Sequence, residues 1–173
     1  LQPAAVLGHS AGEVAAACAA GALSRADALR VIEVRTRFQE PMRGKGTMAA
    51  LVLPEAEAEA ALADPAFAGV EIAAVNSGRS LTLAGPAGPL GAFLRHARRQ
   101  RWPHVRLDIE YPFHSSQLDP FRAPMIEALA GLRPQPCTTR FFSTVTGTEL
   151  PGEALDAEYW WRNVRQKVAF APA

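Results

Sequence analysis

Residues 4–7 form a short apolar run that ends at Gly8, the pattern of a buried strand in a parallel sheet. Residues 11–20 are alanine-rich with Glu13 in the first turn, which predicts a helix starting directly after Ser10 and stopping at Gly21. Ser24 with Asp27 three positions on predicts the cap of a second helix. Leu29, Val31, Ile32, Val34 and Phe38 form the expected apolar face of that helix, which ends near Pro41. The texture then changes. Strands are predicted over 47–53, 70–75, 81–84 and 104–109, with helices over 54–63 and 86–102. The order β-α-β-β-α-β is that of a ferredoxin-like unit. Beyond it lie a loop at 111–116, a helix over 117–132 broken near Pro120 and Pro124, a strand over 139–145 bounded by Gly147, and a short aromatic helix over 158–164. The fold class expected is α/β.

A chain of 173 residues with 49% hydrophobic content is the size of one domain and can bury a core. The net charge is +1 and no block of like charges appears, so nothing points to a nucleic-acid partner. The basic run from Arg95 to Arg101 reads as a solvated helix face. Cys18 and Cys137 lack metal-ligand spacing. Cys18 is expected to be a small buried thiol, and no metal is expected. No run of 18 apolar residues and no cleavable leader is seen, so no membrane is expected and the cytoplasm is the expected location. Both ends look cut, as in a piece of a longer protein.

Gly8-His9-Ser10-Ala11-Gly12 fits G-x-S-x-G. A serine on a tight strand-to-helix turn presents its hydroxyl above the sheet, and small residues on either side let the backbone turn. The free N–H groups of the following helix can stabilise an oxyanion. A helix-capping serine would match the same five letters, but the setting between an apolar strand and an alanine-rich helix favours a nucleophile. A nucleophilic serine needs a base. His9 is adjacent and would point away, His96 lies among arginines on an expected exposed face, and His104 opens a strand. His114, in a loop between elements, is the best candidate.

Taken together, Gly8-His9-Ser10-Ala11-Gly12-Glu13, Arg35 and Tyr111-Pro112-Phe113-His114-Ser115 resemble the malonyl-CoA:acyl carrier protein transacylases, and most of all the acyltransferase domains of polyketide synthases. The stretches from Phe141 to Gly147 and from Tyr159 to Arg165 share the resemblance. It implies an α/β-hydrolase-like parallel-sheet body (residues 1–45 and 110–173) with an inserted ferredoxin-like βαββαβ subdomain (residues 46–109). It implies Ser10 as nucleophile, His114 as general base held by backbone carbonyls rather than an aspartate, and the Ala11 N–H in the oxyanion hole. Arg35 would grip the free carboxylate of malonyl, because a planar guanidinium binds a carboxylate bidentately; Arg37 is the neighbour expected to be structural. His9 and Phe113 are counted with Arg35 as substrate-binding. The family's glutamine-containing oxyanion loop would precede Leu1, with Gln2 no substitute for it, and the segment that helps hold the histidine would follow Ala173.

The activity this implies is ping-pong transfer of a malonyl-type group from an acyl-CoA to the phosphopantetheine of an acyl carrier protein, with no bound cofactor and with neighbouring synthase domains such as a ketosynthase as partners. Phe113 resembles the residue of malonyl-selective members, while Tyr111, Pro112 and Ala11 depart from the commonest pattern and leave an unusual extender unit open. Two other readings compete: a serine ester or thioester hydrolase, which would need an acid partner for His114 and leaves Arg35 without a role, and an incomplete, non-catalytic piece of a synthase. A loading enzyme for neutral acyl groups would leave the Arg35 charge unpaired.

Overall fold

The computed structural model describes residues 3–173. In chain order its elements are β1 (Ala5–Leu7), α1 (Gly12–Ala19), α2 (Arg25–Gln39), β2 (Thr47–Val52), α3 (Glu55–Leu62), β3 (Glu71–Ser77), β4 (Ser80–Gly85), α4 (Ala87–Arg99), β5 (His104–Arg106), α5 (Arg122–Leu129), β6 (Arg140–Ser143), β7 (Thr148–Leu150) and α6 (Ala157–Arg165). The chain divides into two compact units. The first comprises residues 3–38, 120–164 and 168–173, and the second residues 39–119 and 165–167. Among the described residues no helix is long and apolar enough to cross a membrane. No group of three or more His, Cys, Asp or Glu side chains among them could hold a metal ion.

In the first unit β1 runs parallel to β6, with Val6 opposite Phe141, and β6 pairs antiparallel with β7. The strand expected over 139–145 stops at Ser143 because that side chain competes for the backbone. Ser143 Oγ accepts from the N–H groups of Val145 and Thr146 at 3.0 and 3.2 Å, and Gly147 at φ 72° completes the turn into β7. The expectation of a buried β1 is corrected. Among the described residues β6 is its one pairing partner, and Leu7 is 43% exposed.

Ser24 caps α2 as expected, accepting from Asp27 N at 3.0 Å while its hydroxyl donates to the Asp27 carboxylate at 2.8 Å. The inward face of α2 differs from the expected one. Val31, Val34 and Arg35 are buried, whereas Leu29 is 71% and Ile32 39% exposed. Positions 31, 34, 35 and 38 follow the i, i+3, i+4, i+7 stripe of a helix, and Leu29 and Ile32 lie off it. Those two side chains line an open apolar groove with Val14, Cys18 and Ala28. Cys18 is therefore half-buried rather than buried. Helix α6 buries Tyr159, Trp160, Trp161, Asn163 and Val164, and Asp156 caps it through Tyr159 N at 2.8 Å.

The second unit carries an antiparallel sheet in the order β5-β2-β4-β3. That order, with α3 and α4 as its two helices, is the ferredoxin-like arrangement. The core on one face of this sheet joins Leu51, Leu81 and Leu83 to Leu90, Phe93 and Ala97 of α4. His96 is not on an exposed face: its ring sits 5.5 Å from those of Phe67 and Trp102. The unit extends past the 46–109 segment because flanking residues bond into it. Gly44 N donates to the Glu110 carbonyl at 2.8 Å and Tyr111 OH to Glu40 at 2.8 Å.

Candidate active site

The first unit holds the serine turn. Ser10 has φ 53°, in the left-handed region that a side chain rarely adopts without a constraint. Gly12 N donates to the His9 carbonyl at 2.9 Å and Glu13 N to the Ser10 carbonyl at 3.0 Å, so the turn runs directly into α1. The two motif glycines do different work. A Cβ on Gly8 would lie 2.3 Å from the carbonyl carbon and oxygen of Gly12 and 2.5 Å from the Glu13 nitrogen, whereas one on Gly12 would meet none of the described residues within 4 Å. Among the described residues the steric demand for a small residue falls on Gly8. Ala11 is the residue immediately before α1, with φ −59° and ψ −29°. His9 is exposed, with its ring 5.3 Å from that of Phe170.

Arg35 reaches the same turn from α2. It is 4% exposed, donates through Nη1 to Asn163 Oδ1, and brings Nη2 to 3.4 Å from Ser10 Oγ. Burial pushes its pKa down from 12.5 to about 10, with the Glu13 carboxylate acting in the opposite direction. Arg37, two positions on, is exposed and lies 3.6 Å from Glu33.

Two residues of this site lie outside the set expected from sequence. Glu13, read there as an ordinary first-turn acid, is fully buried. Its Oε1 accepts from Thr144 N at 2.9 Å and from Tyr159 OH at 2.5 Å; its Oε2 accepts from Thr144 Oγ1 at 2.9 Å and Asn163 Nδ2 at 2.6 Å. The Tyr159 oxygen also lies 2.8 Å from Ser143 Oγ. The phenol has one proton, which goes to the carboxylate, so the serine hydroxyl donates to the tyrosine. Burial, followed by the charge and hydrogen bond of Glu13, pushes the Tyr159 pKa well up, keeping it a donor. Asn163 joins this network to the turn: Nδ2 also lies 3.4 Å from the Ser10 carbonyl. A faint signal exists for each. Glu13 is the one charged residue in α1, and Asn163 is a polar residue in the apolar stretch Tyr159-Trp160-Trp161-Arg162-Asn163-Val164.

His114 and Phe113 belong to the second unit. His114 is buried, has φ 57°, and its Nδ1 lies 2.9 Å from the Gln166 carbonyl oxygen. A carbonyl only accepts, so Nδ1 carries the proton and Nε2 is the basic nitrogen. The resemblance places a holding segment beyond Ala173; the carbonyl that holds Nδ1 is at Gln166. Glu71 ties the two segments together, accepting from Ser116 N at 2.6 Å and from Arg165 Nη1 at 3.1 Å, and Arg165 also pairs with Asp119 at 2.5 Å. Gly46 admits the loop, since a Cβ there would lie 2.7 Å from the Pro112 ring. Phe113 stacks on Tyr111 with ring centroids 4.9 Å apart and planes 7° from parallel, and it packs on Met48, Ala73 and Ala84. Gln2, set aside as an oxyanion donor, lies outside the described residues.

A family model described as acyl transferase domain matches residues 1–173. The spectinabilin polyketide synthase system protein NorA' of Streptomyces orinoci is 41% identical over 173 residues, which is all of this chain and 5% of that protein. The acyltransferase domain from module 8 of the salinomycin polyketide synthase superposes with a TM-score of 0.93 at 37% identity, over 97% of this chain and 40% of that one. An acyl-carrier-protein S-malonyltransferase from Burkholderia pseudomallei gives a TM-score of 0.88 at 27% identity, over 98% of this chain and 57% of that one.

Proposed function

The chain belongs to the acyl transferase domain family, and we propose that it moves a malonyl-type acyl group from CoA to the phosphopantetheine thiol of an acyl carrier protein through an ester on Ser10. The observation that carries this reading is the serine at φ 53° with a buried guanidinium 3.4 Å from its hydroxyl. A buried charge without an ion-pair partner is costly unless a ligand supplies the counter-charge. The free carboxylate of malonyl supplies one, and its thioester end is the part that must reach the serine. The Burkholderia relative named above is a malonyltransferase, which supports the same acyl class.

In the proposed cycle the Ser10 oxygen attacks the thioester carbonyl while His114 Nε2 takes the hydroxyl proton. The negative charge on the carbonyl oxygen is met by the Ala11 N–H. Collapse breaks the C–S bond, CoA leaves with the proton from His114, and an acyl ester remains on Ser10. The phosphopantetheine thiol then gives its proton to His114 and attacks the ester; its collapse returns the proton to Ser10. Arg35 holds the acyl carboxylate throughout. Phe113, clamped by Tyr111 and the sheet face, is the wall that limits substitution at the acyl C2, and His9 lines the approach. No bound cofactor enters the cycle. The carrier protein and adjoining synthase domains, a ketosynthase among them, are the proposed partners. A hydrolase is the weaker reading, because the Nδ1 partner of His114 is a carbonyl rather than an acid.

The test is intact mass after exposure to malonyl-CoA, methylmalonyl-CoA and acetyl-CoA in turn. A malonyl adduct on the wild type, absent from Ser10→Ala, is the expected outcome. An adduct that survives Ser10→Ala would overturn the proposal.

A further inference from the structure

Asn163 stands between two charges. Its Oδ1 accepts from Arg35 and its Nδ2 donates to the Glu13 carboxylate at 2.6 Å. The amide has one orientation open to it, because Arg35 offers only donors and Glu13 only acceptors. Glu13 is close enough to favour the charged arginine, yet its oxygens are taken by Thr144, Tyr159 and Asn163. Arg35 is thereby fixed by a neutral oxygen, with no carboxylate among the described residues directly upon it. An aspartate in place of Asn163 would fix the same Nη1 equally well, but as an ion pair, and would take the place of any incoming carboxylate as the partner of that charge.

We propose that Asn163 is a specificity-determining positioning residue: its amide orients Arg35 while holding the Glu13 carboxylate one side chain away, which reserves the guanidinium for an acyl group with a free carboxylate. This rests on the reading of Arg35 as the carboxylate ligand.

The exchange Glu13→Gln with Asn163→Asp moves the anion onto Arg35 without changing the number of charges or the volume. All but one of its hydrogen bonds can be made, the exception being that from Asn163 Nδ2 to the Ser10 carbonyl at 3.4 Å. The oxygen of the introduced glutamine accepts from Thr144 N and Tyr159, and its amide donates to the introduced aspartate. Thr144 Oγ1 lies 3.1 Å from the Gly8 carbonyl and can turn its proton there, accepting from the glutamine amide instead.

The experiment measures kcat/KM for malonyl-CoA and for acetyl-CoA, with urea midpoints, on the full-length wild type, the double exchange, Asn163→Asp and Arg35→Ala. The expected result is a double exchange that unfolds near the wild-type midpoint and loses roughly 10- to 100-fold in its malonyl-to-acetyl ratio, the worth of one charge-assisted hydrogen bond. A purely structural role would lower both substrates together. Should the double exchange not fold, Asn163→Asp alone gives the same readout, since it too sets a carboxylate against Arg35 Nη1. A wild-type ratio in these variants, with the ratio lost in Arg35→Ala, overturns the inference and leaves the Arg35 reading standing. A wild-type ratio in Arg35→Ala as well overturns both.

Discussion

Gly8→Ala and Gly12→Ala are the same chemical change in one five-residue motif, and the structure assigns them opposite signs. At Gly8 the new methyl would sit 2.3 Å from the carbonyl carbon and oxygen of Gly12 and 2.5 Å from the Glu13 nitrogen. Those atoms are backbone, so no rotamer change relieves the overlap, and ordinary contact requires the first turn of α1 to move by about 1 Å or more. That turn carries the hydrogen bonds from Gly12 N and Glu13 N. It also carries Glu13, whose carboxylate accepts four hydrogen bonds that the shift would stretch together. Overpacking against mobile side chains costs about 1–3 kcal/mol. With a rigid backbone and a buried network displaced, about 4 kcal/mol is expected. At Gly12 none of the described residues lies within 4 Å and φ is not positive, so alanine gains about 0.5–1 kcal/mol by restricting the unfolded chain. Urea unfolding of the full-length protein, followed by circular dichroism at matched m-values, measures the difference directly. Equal midpoints for the two variants, or Gly12→Ala as the weaker, would refute the steric account of the turn.

Malonate should stabilise the wild type but not Arg35→Met, by about 2.7 kcal/mol at a hundredfold excess over Kd, read as a rise in melting temperature; an equal rise in both would remove Arg35 as its ligand. Because burial lowers the Arg35 pKa from 12.5 to about 10, the folded state binds fewer protons than the unfolded state between those values. The contribution of this group to stability therefore rises with pH in that window and is lowest below about pH 10, and Arg35→Met should flatten the rise. Glu71→Ala removes the acceptor shared by Ser116 and Arg165. It should cost about 1 kcal/mol in stability and roughly tenfold in kcat through a loosened His114, with Glu71→Gln retaining more of the rate than Glu71→Ala. Phe113→Ser should raise the rate with methylmalonyl-CoA relative to malonyl-CoA and lower the melting temperature, since the ring also covers Met48, Ala73 and Ala84; an unchanged rate ratio would remove the ring from the acyl pocket.

Much of this molecule can be read from its letters where one local rule operates. The Ser24–Asp27 cap, the alanine helix after Ser10 and the β-α-β-β-α-β order each follow from propensity and period within a short window. Three features do not. The early end of β6 depends on the Ser143 hydroxyl taking two backbone N–H groups, a contest that strand propensity does not register. The exposure of Leu29 and Ile32 depends on what lies against α2, and their hydrophobicity alone points the wrong way. Glu13 and Asn163 acquire their roles across 150 positions of sequence, through a contact that no local pattern contains. Arg35 is the intermediate case. Motif resemblance singles it out, while its place on the buried stripe of Val31 and Val34 is a finding of the structure.

That stripe sets folding and chemistry against each other at a single codon. Leucine in place of Arg35 would complete the inward face of α2 and end the desolvation of a cation, and one base change separates several arginine codons from leucine. Random substitution filtered only by thermal stability would therefore drift toward leucine there. Stability-guided redesign of this chain would do the same, producing a sturdier protein that, on the reading of Arg35 proposed above, no longer distinguishes one acyl group from another. Position 35 is accordingly the one to hold fixed in any such library, with Asn163 and Glu13 held alongside it.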